Sequence, residues 1–82
     1  MRSKQQKEVR YSVVLFYSIS GALRAEKLLK SRELSIKLIP VPRHLSSDCG
    51  VCIRFEREHE AEIAEILASH DLEIQSIQPL ER

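Results

Sequence analysis

Tyr11-Ser12-Val13-Val14-Leu15-Phe16-Tyr17 is rich in β-branched and aromatic residues, as a central strand should be, and Ser18-Ile19-Ser20-Gly21 then breaks the run. Ser18 or Ser20 is a natural helix N-cap. From Ala22 to Arg32 the positions Ala22, Ala25, Leu28 and Leu29 share one face at helical spacing, while Arg24, Lys27 and Lys30 face water. Ile36 to Val41 reads as a strand that Pro40 and Pro42 push toward a sheet edge. Val51 to Phe55 reads as the next strand, with Val51, Ile53 and Phe55 on one face and Cys52 and Arg54 on the other. Glu58 to His70 forms a second amphipathic helix with the stripe Ile63, Ala64 and Leu67, helped by Ile66, and with acids early, where the helix dipole favours them. Glu73 to Gln78 closes the pattern as a short strand ended by Pro79.

The order β-α-β-β-α-β predicts an α+β, ferredoxin-like fold: a four-stranded antiparallel sheet of order 4-1-3-2 with two helices on one face. The other face then has no helix to cover it. Val14 and Phe16, with Cys52, are the candidates for that open face, and a homodimer or another partner is expected against it.

The chain has 82 residues, of which 43% are apolar and 30% charged, so the core is near the lower limit for independent stability. Of the overall charge of +1, Arg2, Lys4, Lys7 and Arg10 against Glu8 place +3 on residues 1–10 and leave −2 for the remainder. We therefore expect a basic, solvated tail over 1–10 and one folded domain over 11–82. No basic face stands out and only two Phe and two Tyr could stack on bases, which disfavours a nucleic-acid role. The longest apolar run, Val13 to Tyr17, is far short of the roughly 20 residues a membrane helix needs. No membrane contact is expected, and a cytoplasmic location is. In a reducing compartment a cysteine pair is free, metal-binding or redox-active sooner than a structural staple.

Candidate chemistry concentrates in Ile39-Pro40-Val41-Pro42-Arg43-His44-Leu45-Ser46-Ser47-Asp48-Cys49-Gly50-Val51-Cys52, which holds both cysteines, two of the three prolines and one of the two glycines. The right-handed crossover rule brings this loop to the same end of the sheet as the first β-to-α turn and the turn after the second helix, at His70 and Asp71. Cys49 is therefore expected beside Ser18, Ser20 and Gly21 at a helix N-terminus. Its amides, with Arg43 or His44, would lower a thiol pKa from about 8.5. Asp48 acts in the opposite direction. Cys49, in the loop beside Gly50, is expected to react before Cys52 in its strand.

Phe16-Tyr17-Ser18, Ala22 with Ala25-Glu26-Lys27-Leu28-Leu29, Ile39-Pro40-Val41-Pro42-Arg43, Ser46-Ser47 and Cys49-Gly50 together resemble the selenium/sulfur carrier-like family of small bacterial proteins, over nearly all of Tyr11 to Pro79. The resemblance implies that Cys49 is a carrier thiol, binding sulfur or selenium as a persulfide or selenosulfide and handing it to a partner. The implied partners are donor and acceptor proteins. Arg43, His44, Ser18, Ser20, Gly21 and Gly50 are the candidate substrate- or anion-binding residues around it. Cys52 lies outside the family pattern; it could resolve an adduct on Cys49 as a disulfide, or only pack.

Other readings stand beside this one. Cys-x-x-Cys supplies two soft metal ligands, but a closed zinc site needs four, which only His44, His59, His70 or a second subunit could complete. A non-catalytic module for metal or ligand binding or for oligomerisation is the alternative function. No cofactor is implied. A turnover enzyme is disfavoured because neither a pair of carboxylates near the loop nor a Ser-His-Asp or Cys-His-Asn set can be assembled.

Overall fold

The computed structural model describes residues 9–45, 47 and 49–80. Most of the expected tail, together with Ser46 and Asp48, lies outside the described residues. The elements run β1 (Tyr11–Leu15), α1 (Ile19–Ser31), β2 (Ile36–Pro40), β3 (Val51–Glu56), a 3-10 turn (Arg57–His59), α2 (Glu60–Ser69) and β4 (Ser76–Pro79). All four strands pair antiparallel in one sheet of order β2-β3-β1-β4, which is the expected 4-1-3-2 read from the other edge. No helix is long and apolar enough to cross a membrane among the described residues.

α1 begins at Ile19 because Ser18, in extended conformation, caps it: its hydroxyl accepts the Gly21 N–H at 3.2 Å. Both helices end in the same way. Glu33 follows α1 and Asp71 follows α2 in left-handed conformation, with φ of 62° and 55°. The next residues, Leu34 and Leu72, return their N–H groups to the Leu29 and Leu67 carbonyls at 3.2 and 3.0 Å. These are Schellman caps built without glycine, and each closing leucine packs against the core.

The helices share one face of the sheet. There Ala22, Ala25 and Leu29 of α1 and Ile63, Ile66 and Leu67 of α2 bury Val14, Phe16, Ile53 and Phe55. Fully burying a side chain of the Leu, Ile or Phe kind contributes about 1.5–3 kcal/mol, so this layer is the main source of stability.

The residues expected on the opposite face need correction. Val14 and Phe16 face the helices, and it is Val13 and Leu15 that join Cys52 on the other side. The register explains it, because residues directly opposite in an antiparallel pair share a face: Leu15 stands across from Cys52, and Val14 across from Ile53. Nor is this part of the face open. Val13, Leu15 and Cys52 are fully buried, with Ile39, Val41, Leu45 and Leu80 packed on them. The apolar side chains on which a dimer was expected to form are thus covered by the chain's own β2–β3 loop and C-terminal segment.

At the far end of β1, Ser12 is buried and polar, and Arg57 satisfies it: its Nε donates to the Ser12 hydroxyl at 3.1 Å while another guanidinium N–H donates to the Tyr11 carbonyl at 2.9 Å.

Candidate functional site

The β2–β3 loop leaves the ladder at Pro40 and rejoins it where the Val41 N–H donates to the Gly50 carbonyl at 3.1 Å. Between these points a turn, closed by Leu45 N–H to the Pro42 carbonyl at 3.0 Å, carries Arg43 and His44 into solvent. Leu45 drops onto the helix-free face, and His44 Nε2 lies 3.2 Å from the carbonyl of Leu80, which packs on that same face. The loop then crosses the end of the sheet to the other side. Cys49 packs in the helix-side core with Phe16 and Ala22.

Ser47 makes that crossing. Its hydroxyl is 3.0 Å from the Phe16 carbonyl and 2.9 Å from the Gln75 side-chain amide oxygen, and it accepts the Cys49 N–H at 3.2 Å. A hydroxyl has one proton, so it cannot donate to Phe16 and Gln75 together. With the Gln75 amide turned by half a rotation its NH2 donates to Ser47, Ser47 donates to Phe16, and all three contacts are satisfied. Gln75 is itself tied back, its N–H donating to the Leu15 carbonyl at 2.6 Å. Ser47 therefore joins the end of β1, the approach to β4 and the backbone of Cys49.

The β2–β3 loop thus meets the end of β1 through Ser47, and among the described residues no hydrogen bond joins Cys49 to Ser18, Ser20 or Gly21. The chain next to Phe16 enters a cleft of about 340 Å³ lined by Tyr17, Ser18, Ser20, Gly21, Arg24, Asp71, Leu72 and Glu73. Ser18, Ser20 and Gly21 and the turn after α2 thus share one end of the molecule. Sequence reasoning treated Arg24 as a solvated helix residue and assigned no role to Ser47 or Gln75. Helical phase says that Arg24 is exposed; only the tertiary arrangement aims it at the cleft. The hydroxyl of Ser18 is engaged as a cap, with Ser20 Oγ 3.4 Å away.

Other expected associations do not form. His44 belongs with Leu80 on the side away from Cys49. His59 sits 3.7 Å from Glu58 and 3.6 Å from Glu62, and His70 Nδ1 is 3.2 Å from the Ile66 carbonyl. Neither histidine approaches a cysteine through these contacts. Cys49 belongs to the helix-side core and Cys52 to the cluster on the opposite face, and both are free thiols.

Both thiols are withdrawn from solvent. Cys49 is 4% exposed, against the expectation of an accessible loop thiol, because it joins the helix-side core. Cys52 is fully enclosed; burial, and secondarily the charge of an ionised Cys49, pushes its pKa up to about 11. Gly50, between them, is exposed, has no positive φ, and a Cβ added there would meet nothing within 4 Å.

Residues 10–79 match the family model described as "Putative Se/S carrier protein-like". The chain belongs to this family. No curated protein and no solved structure matches it. In this Se/S carrier-like chain the match runs from just before β1 to the last residue of β4, so it takes in the loop with Cys49 and every element that holds it.

Proposed function

We propose that this protein carries sulfur or selenium on Cys49 and passes it between a donor and an acceptor protein. Membership of the Se/S carrier-like family carries the reading. In loading, the Cys49 thiolate attacks the outer sulfur of a donor persulfide. A new S–S bond forms on Cys49, the donor S–S bond breaks, and the donor leaves as its thiolate, so no external oxidant or reductant is required. Handing on is the same exchange with an acceptor thiolate attacking the outer sulfur. Selenium would travel as the equivalent selenosulfide. Burial among Phe16, Ala22 and their neighbours favours this role, since a bound persulfide withheld from water is shielded from stray thiols.

The cleft at the start of α1 is the proposed contact for a polar part of donor or acceptor, with Arg24 and the carboxylates of Asp71 and Glu73 as its charged groups and Ser18, Ser20 and Gly21 at the helix N-terminus. Arg43 and Gly50, both exposed, are the proposed partner-facing residues of the loop. Cys52 packs rather than resolves. The location consistent with a free carrier thiol is the cytoplasm.

The experiment is a loading and release assay. Protein incubated with a persulfide donor and freed of small molecules is treated with cyanide, which takes the outer sulfur as thiocyanate. Stoichiometric thiocyanate that disappears in Cys49→Ser supports the carrier; none from the wild type rejects it. The cleft favours a second reading, a ligand-binding module independent of the thiol, in which Cys49→Ser would change nothing.

A further inference from the structure

Cys49 has to be reached by a partner, yet it is 4% exposed, so some local movement must present it. The contacts around the loop show what that movement has to break. On the inner side, the Cys49 N–H donates to the Ser47 hydroxyl, and that hydroxyl is fixed in turn by the Phe16 carbonyl and the Gln75 side chain. On the outer side Gly50 is exposed, with open space where a Cβ would stand, and its carbonyl accepts the Val41 N–H at 3.1 Å. Cys52 is covered separately, by Val41, Leu45 and Leu80 on the opposite face, and shares none of these contacts.

We propose that Ser47 is the positioning residue of the carrier thiol: its hydroxyl, anchored to Phe16 and Gln75, sets how often Cys49 leaves the core. The inference rests on the carrier reading for its purpose. Its test uses the unloaded thiol, so the two can fail separately.

The test is the alkylation rate of Cys49 by iodoacetamide at neutral pH in a Cys52→Ser background, with Ser47 intact, Ser47→Ala and Ser47→Thr. Losing a hydrogen bond of this kind should raise the Ala rate about tenfold, and Thr, which keeps the hydroxyl, should stay within about threefold of Ser. A residue that merely stabilised the fold would behave differently, since global unfolding exposes both thiols. Cys52 is therefore followed in a Cys49→Ser background, where Ser47→Ala should leave its rate unchanged. An unchanged Cys49 rate, a Thr variant as fast as Ala, or equal acceleration of both thiols would overturn the proposal. Should Ser47→Ala fail to fold, the wild type decides. The same opening frees the Cys49 amide and its sulfur, so hydrogen-exchange protection of that amide should match, within about threefold, the slowing of alkylation relative to unfolded chain. An unprotected amide beside a protected thiol would overturn it.

Discussion

Only Gly50 and Val51 separate Cys49 from Cys52, yet the first packs among the helices and the second on the reverse side of the sheet. The alternation of β3 causes this: Val51 packs toward the helix-side core, Cys52 away from it, and Cys49 precedes the strand where the loop has already curled inward. A Cys-x-x-Cys spacing in a redox motif needs both sulfurs on one side of the backbone. Oxidation of the folded protein with diamide should therefore leave it without an intramolecular disulfide, as read by intact mass under denaturing, alkylating conditions. Rapid loss of two hydrogens at unchanged stability would show the two thiols to be a working pair.

The enclosed Cys52 gives a pH signature. Its pKa in the folded state is raised to about 11, above the ordinary 9.0, so the thiol contributes stability that is fully present below pH 9 and is lost as pH rises toward 11. The melting temperature should fall over that interval, and Cys52→Val, which has no proton to lose, should remove this part of the fall. Cys49→Ser should move the Cys52 titration down but not to its ordinary value, since burial is the larger cause and the Cys49 charge the smaller. Alkylation of Cys52 with a midpoint near neutrality would contradict this. Leu45→Ala, which uncovers Cys52 from the loop side, should speed its alkylation while leaving Cys49 as it was.

The two helix ends yield a prediction on stability. Glu33 holds a left-handed conformation at the close of α1, a position where a side chain costs roughly 1 kcal/mol that glycine avoids. Glu33→Gly should raise stability by about 0.5–1 kcal/mol in urea unfolding, with the slope unchanged. Asp71→Gly should give less, because aspartate tolerates this conformation better. A destabilised Glu33→Gly would mean that the carboxylate makes a contact worth more than the strain.

The order of elements and the sheet topology were legible because each segment has one period: alternation through Val51 to Phe55, and a one-sided stripe through Ala22, Ala25 and Leu29. The facing of β1 was not. Val13 to Phe16 are apolar without interruption and all four are buried, so no polar residue marks which parity meets the helices; only pairing with β3 decides it. The end of the molecule that gathers the loops was also legible, because crossover handedness determines it. The inward turn of Cys49 was not, since it depends on a hydrogen bond between Ser47 and Phe16, residues far apart in sequence. Serine in a loop signals polarity and not its partner. In the same way, Leu45 and Leu80 read as scattered apolar residues, and their joint cover over Cys52 arises only from the fold.

In the proposed carrier, Cys49 and not Cys52 holds the transferable atom. Intact-mass spectrometry after incubation with a persulfide donor, or with a donor thiol carrying selenium as a selenosulfide, on the wild type, Cys49→Ser and Cys52→Ser in parallel, is the measurement. A gain of one sulfur or selenium atom is expected on the wild type and on Cys52→Ser, and none on Cys49→Ser. Equal loading of Cys49→Ser, or a wild type that takes up nothing while Cys49 remains alkylatable, would contradict it.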